Sequence, residues 1–178
     1  MKRLPGDISA KREVARIIRV DHAGEYGAKR IYDGQLAVLG RHRSGAAKKI
    51  RHMAKQEQRH LDAFEKLVLD RRVRPTALSP VWHLAGFALG AATALLGERA
   101  AMACTVAVEE VIDEHYQRQI DTLGEDEPAL GEALEEFRRQ EIEHRDTARD
   151  SGGHDGPPLL SAAVKAGSRL AIWLSTRI

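Results

Sequence analysis

Glu57 and His60 stand three residues apart, as do Glu141 and His144, and each pair sits in a run of helix-forming residues. On an α-helix that spacing places both side chains on one face, where a carboxylate and an imidazole can bind a cation together. A further glutamate precedes each pair, and the interval from Glu25 to Glu57 equals the interval from Glu109 to Glu141. One constant shift along the chain therefore carries Glu25, Glu57 and His60 onto Glu109, Glu141 and His144, so the chain holds two copies of one ligand set. The single cysteine, Cys104, can build neither a thiolate cage nor an intramolecular disulfide. The remaining donors are imidazole and carboxylate, which suit iron or manganese.

Such residues need helices to hold them. Proline occurs at positions 5, 75, 80, 128, 157 and 158, and the long segments between show helical periodicity rather than strand alternation. The pattern predicts six helices. They cover about Ser9 to Leu39, Ser44 to Arg72, a third opened by Ser79 as N-cap with Pro80 in the first helical position and stopping near Gly97, Glu98 to Leu123, Pro128 to Arg149, and Leu159 to Thr176. On the second helix Ile50, Met53, Glu57, His60 and Phe64 fall on one stripe, and on the fifth Leu130, Leu134, Phe137, Glu141, His144 and Ala148 repeat it. The first helix aligns Val14, Ile18, Glu25, Ala28 and Tyr32, and the fourth aligns Met102, Thr105, Glu109, Ile112 and Tyr116. Each inner stripe carries one glutamate.

An unpaired buried carboxylate costs several kcal/mol even after relaxation. The four stripes contain no arginine or lysine that could compensate as a structural ion pair; two divalent cations would. The expected fold class is all-α, a ferritin-like four-helix di-iron bundle with two extra apolar or amphipathic membrane-associating helices, in a single domain over residues 1–178. By analogy with such bundles Glu57 and Glu141 are expected to bridge the ions, and Glu25 and Glu109 to be terminal ligands. His42, His52 and His154 lie off the stripes and are expected to be solvated, while His22, one turn before Glu25, is a candidate to support a ligand. Cys104 reads as a core residue.

A net charge of +2 gives no general attraction for nucleic acid. No apolar stretch follows the basic start, so no secretory signal is expected, and the absence of a transit-like extension favours a bacterial or a processed chain. The third helix, "PVWHLAGFALGAATALL", is apolar nearly all round, but it is too short to span a bilayer. It is expected to dip into one leaflet or to pack on the bundle. In the last helix Leu170 and Trp173 accompany Lys165, Arg169 and Arg177, a basic amphipathic pattern suited to a membrane surface.

The stretches "RIIRVDHAGEYGAKRIY", "QEQRHLDAF", "ACTVAVEEVIDEHY", "EIEHRD" and "GSRLAIWLSTRI" resemble the demethoxyubiquinone hydroxylase family, and the resemblance spans nearly the whole chain. It implies a di-iron, O2-dependent monooxygenase that hydroxylates the ring of a polyprenyl demethoxy-benzoquinol in ubiquinone biosynthesis. The family's ligands fall on Glu25, Glu57, His60, Glu109, Glu141 and His144, and its substrate-pocket pair on His115 and Tyr116. Some members carry tyrosine where this chain has Trp173, so a role for that hydroxyl does not carry over. The resemblance suggests NADH as reductant, although no Gly-x-Gly-x-x-Gly fingerprint is present. The implied location is peripheral, on the cytoplasmic face of a bacterial inner membrane or the matrix side of a mitochondrial one. Exposed apolar helices further suggest a homodimer or a lipid-presenting partner. Two other readings use the same residues: a ferroxidase or iron-storage bundle, and a metal-free helical scaffold that binds lipid or protein.

Overall fold

The computed structural model describes residues 8–41 and 44–178, and every regular element among them is helical. His42 lies outside the described residues. The helices are α1 (Ala10–Leu39), α2 (Gly45–Asp70), α3 (Ser79–Leu95), α4 (Glu98–Leu123), α5 (Pro128–Asp150) and α6 (Pro158–Ser175), with a 3-10 turn at Gly153–Asp155 that the periodicity did not predict. Ser9 and Ser44 cap α1 and α2 through side-chain oxygens that accept from Arg12 N and Ala47 N. α2 stops short of the expected Arg72, which adopts φ 51° and leaves the helix.

The start of α3 differs from expectation. Leu78 occupies the N-cap position and Ser79 is already the first helical residue. Thr76 takes over the local hydrogen bonding: its hydroxyl accepts from Leu78 N at 3.2 Å and its carbonyl accepts from Ser79 Oγ at 3.0 Å.

α1 packs on α2 and α4 on α5, while α3 lies along α1 and α6 along α4, so each half of the chain repeats one packing order. The α1–α3 contact is close because it is built on glycine. A Cβ at Gly90 would stand 1.9 Å from the Ile31 carbonyl oxygen, and one at Gly34 would stand 2.2 Å from that of Phe87. α3 thereby buries only Gly90, Thr93 and Ala94, and leaves Leu84, Leu95 and Leu96 largely exposed (71%, 75% and 72%). No helix among the described residues is long and apolar enough to cross a membrane.

The basic face expected of α6 is partly taken up by the protein itself. Lys165 pairs with Glu110, Arg169 pairs with Glu114 at 3.2 Å, and the Arg177 guanidinium stacks 4.1 Å from the Trp173 ring. The outward face of α4 supplies those carboxylates, a charge complement that α6 read alone does not reveal. Leu159, Leu170 and Trp173 of α6 remain exposed.

Candidate metal centre

Along α2 the buried run Ile50, Met53 and Phe64 is interrupted by Glu57 and His60, and along α5 Leu130, Leu134 and Ala148 are interrupted by Glu141 and His144. Helical periodicity turns these polar pairs inward with the apolar residues, because they occupy the same stripe. Glu25 on α1 and Glu109 on α4 close the site from the other side. All six side chains are buried, none more than 3% exposed.

The six resolve into two overlapping groups. Glu25, Glu57, His60 and Glu141 bring one ligand atom each to within 4.8 Å of one another, and so do Glu57, Glu109, Glu141 and His144. Glu57 and Glu141 belong to both groups. Glu141 is straddled by the imidazoles, with Oε1 2.9 Å from His60 Nδ1 and Oε2 2.9 Å from His144 Nδ1. His60 Nδ1 also lies 3.3 Å from Glu25, and His144 Nδ1 lies 3.0 Å from Glu57.

These side chains fit a pair of cations. His60 Nδ1, both Glu57 oxygens, Glu25 Oε2, Glu109 Oε2 and Glu141 Oε1 are buried without a hydrogen bond of good geometry, although several face one another at contact distance. Oxygen and nitrogen atoms that converge but do not align for hydrogen bonding have the arrangement of ligands around an ion. The electrostatics agree. Burial pushes Glu57, Glu25 and Glu109 above the usual carboxylate range, and the charge of Glu141 adds to the rise in each. At Glu141 burial is outweighed by its contacts with His144 and His60, which hold its carboxyl low. Burial alone would lower both histidines, but contact with Glu141 raises each well above the usual imidazole range, helped by Glu25 at His60 and by Glu57 at His144. So much negative potential in a dry site favours cations.

A second layer of side chains surrounds the ligands, and of these only Tyr116 was a candidate from the sequence. The outer nitrogen of His144, Nε2, lies 3.1 Å from Gln56 Oε1, and that of His60 lies 3.0 Å from Gln140 Oε1. Each Nε2–H donates to an amide oxygen, which turns Nδ1 toward the carboxylates; with a cation bound in their midst, Nδ1 would be the lone-pair donor to it. Tyr32 donates to Glu109 Oε1 at 2.8 Å, and Tyr116 donates to Glu25 Oε1 in a short hydrogen bond. A signal for these residues was present: the shift that relates the two ligand sets also carries Gln56 onto Gln140 and Tyr32 onto Tyr116.

His115 lies beside Tyr116 but points to Asp21, with its Nε2 3.1 Å from Oδ1, and Gln119 donates to the same oxygen at 2.7 Å. Burial pushes the Asp21 carboxyl up, against the lowering effect of His115. His22, the candidate to support a ligand, has its Nδ1 buried without a hydrogen bond. His52 and His154 are exposed as expected, and Cys104 is fully buried.

An apolar cavity of about 490 Å³ runs along the outer side of the α1–α4 pair beneath α3 and α6. Gly24, Gly27 and Ala28 of α1 line it, with Trp82 and Leu89 of α3 and Val164 of α6. A smaller gap shares Ala28, Ile31 and Val108 with this cavity and continues to Tyr32, Thr105 and Glu109. The cavity is thus separated from Glu109 only by a thin, tightly packed layer around Ala28, Ile31 and Val108. His115 and Tyr116 line neither space, although Ile112, one turn before Tyr116, lines the cavity.

Comparison with known proteins places this arrangement. The chain is 59% identical over 178 residues to the 3-demethoxyubiquinol 3-hydroxylase of Rhodospirillum rubrum, covering 99% of this chain and 84% of that relative. It is 51% identical over 178 residues to the human NADPH-dependent 3-demethoxyubiquinone 3-hydroxylase, mitochondrial (97% and 81% covered). It is 39% identical over 180 residues to the 5-demethoxyubiquinone hydroxylase, mitochondrial, of Saccharomyces cerevisiae (92% and 77% covered). The family model described as "Ubiquinone biosynthesis protein COQ7" matches residues 12–175, from the first turn of α1 to the end of α6, and the chain belongs to that family.

Proposed function

We propose that this chain, acting as a single domain, is a 3-demethoxyubiquinol hydroxylase of ubiquinone biosynthesis with a di-iron centre. The observation that carries the reading is the apolar cavity, whose lining residues Ala28, Ile31 and Val108 also pack beside Glu109 of a buried six-residue cluster. A ferroxidase or an iron store has no use for such a cavity, whereas a lipid-tailed ring needs one. The assigned ligands are Glu25, Glu57, His60 and Glu141 for one ion, and Glu57, Glu109, Glu141 and His144 for the other, with Glu57 and Glu141 shared.

The reaction combines a ring C–H, O2, two electrons and two protons into a ring C–OH and water. Two iron ions, when held by these residues, would supply the site where O2 is activated. The chain's own residues position and insulate. Gln56 and Gln140 orient the imidazoles, Tyr32 and Tyr116 hold the terminal glutamates, and the apolar lining excludes water from the reacting ring. His115 and Tyr116 act from the Glu25 side, where Asp21 and Gln119 hold His115. The reductant is a nicotinamide nucleotide: the resemblance suggests NADH, and the human relative is named NADPH-dependent.

The exposed leucines of α3, with Leu170 and Trp173 of α6, form the face we assign to the surface of an inner membrane, from which the isoprenoid tail slides into the cavity. A homodimer or a lipid-presenting partner would cover this same face. The test is mass spectrometry of the quinone product after the iron-loaded, reduced protein is given a demethoxy-quinol and isotope-labelled O2. One labelled ring hydroxyl is expected. Oxidised iron with an untouched ring, under conditions where quinol binds, would transfer the assignment to a ferroxidase.

A further inference from the structure

A helix interior disfavours glycine, because its bare backbone loses more freedom on folding than that of alanine. A positive φ or a close neighbour usually explains a glycine that persists there. Gly34, Gly86 and Gly90 are explained by the seam between α1 and α3: a Cβ would stand 2.2 Å from the Phe87 carbonyl oxygen, 2.9 Å from that of Gly27 and 1.9 Å from that of Ile31. Gly24 and Gly27 of α1 and Gly167 of α6 have no such reason. Beyond the adjoining chain no atom lies within 4 Å of a Cβ built on any of the three, and none has a positive φ. Alanine would fit each position and favour its helix.

What the three share is the apolar cavity of about 490 Å³, whose wall all of them line. Gly45 and Gly131, the other helical glycines that packing leaves free, stand in the first turns of α2 and α5 and line no part of it. A methyl group at position 24, 27 or 167 would therefore meet no protein and would take space from whatever fills the cavity. Gly24 and Gly27 lie three apart, so their bare backbone shares one face of α1. Without Cβ atoms that face is flat enough for an aromatic ring to lie on the peptide groups at van der Waals distance. A flexible aliphatic tail has no need of such a face, and Leu89, Ile112 and Val164 of the same lining suit it. Gly24 adjoins Glu25, and Ile112 lies one turn before Tyr116.

We infer that Gly24, Gly27 and Gly167 form the slot that receives the quinol ring, and that they make the cavity specific for a planar head group. This rests on the quinol-hydroxylase reading above and deepens it. The ring lies against the α1 backbone beside Glu25, and the aliphatic remainder of the lining is left to the tail. The three glycines are kept at a cost in helix stability because the ligand, rather than the fold, requires them.

Single alanine variants test this, with Gly131→Ala as the comparison outside the cavity. Gly24→Ala, Gly27→Ala, Gly167→Ala and Gly131→Ala should all retain their iron and raise the midpoint of thermal unfolding by about 2 °C. The detergent-solubilised, iron-loaded proteins are then titrated with an oxidised demethoxy-quinone carrying a short isoprenoid tail and, separately, with the ring-free alcohol of the same tail. The three cavity variants should bind the quinone about ten-fold more weakly and the alcohol as wild type does, whereas Gly131→Ala should bind both as wild type does. Equal weakening of quinone and alcohol would overturn the inference by assigning the glycines to the tail. Unchanged quinone affinity in the three cavity variants would overturn it as well, as would a lowered thermal midpoint, which would show that the fold does need these glycines. A wild-type protein that binds no quinone would overturn the quinol-hydroxylase reading itself, and this inference with it.

Discussion

Gln56 on α2 reaches across the bundle to His144 on α5, its Oε1 3.1 Å from Nε2, while Nδ1 of the same ring faces the buried carboxylates. Gln140 returns the contact to His60 at 3.0 Å. Each helix that carries a Glu-x-x-His pair thereby orients the imidazole of the other. Gln56→Leu removes the acceptor with little change of volume and is expected to weaken iron binding by about 10- to 100-fold with the helical fold intact. Competition with a chelator, read beside circular dichroism, measures it. Unchanged affinity would show that packing alone holds the ring.

The shared position of Glu141 separates it from Glu25. Glu141→Ala removes an oxygen donor from both groups and is expected to abolish turnover and most of the iron, whereas Glu25→Ala touches one group and should leave about half. Metal analysis of the purified variants decides between them. Equal loss in both would mean that the ions bind only as a pair, and full activity with two irons in Glu141→Ala would refute the ligand assignment.

Leu84 and Leu95 are 71% and 75% exposed on α3 and touch neither the cluster nor the lining of the cavity. Replacing both with Lys is expected to weaken binding to liposomes of mixed zwitterionic and anionic lipid by about ten-fold or more. Iron content should stay constant. Sedimentation with the vesicles provides the measurement, and unchanged binding would point to a protein partner on that face.

Glu110 ties α4 to both neighbours, pairing with Arg149 of α5 and Lys165 of α6. Burial would raise its pKa, but the contacts with Lys165 and Arg149 outweigh this and hold its carboxyl below the ordinary 4.5. A carboxyl depressed in the folded state contributes stability above its unfolded value, and the contribution is lost as pH falls through the folded one. Glu110→Gln should therefore cost up to about 1 kcal/mol near neutral pH, the pair being partly solvated. The difference from wild type should vanish once the pH drops well below 4.5. Thermal melts of both proteins across that range test the sign.

Much of this protein is legible in one dimension because its determinants are local. Helix bounds follow from serine caps, prolines and helical periodicity, and the ligands stand out because helical spacing puts Glu57 with His60 and Glu141 with His144 on faces that are otherwise apolar. The internal repeat pairs the two ligand sets without any reference to packing. The start of α3 falls one position earlier than its serine suggests, because the Ser79 hydroxyl is spent on the Thr76 carbonyl and caps no helical N–H.

What remained hidden depends on contacts between residues far apart in the chain. Gln56 lies 88 residues from His144, and Asp21 lies 94 from His115, so no helical stripe joins them. Lys165 and Arg169 read as a membrane-facing charge pattern until Glu110 and Glu114 of α4 stand opposite them. Periodicity fixes the direction of a side chain from its own helix. Whether that direction meets a carboxylate, an amide or a cavity is set by the neighbouring helices, and only their packing decides it.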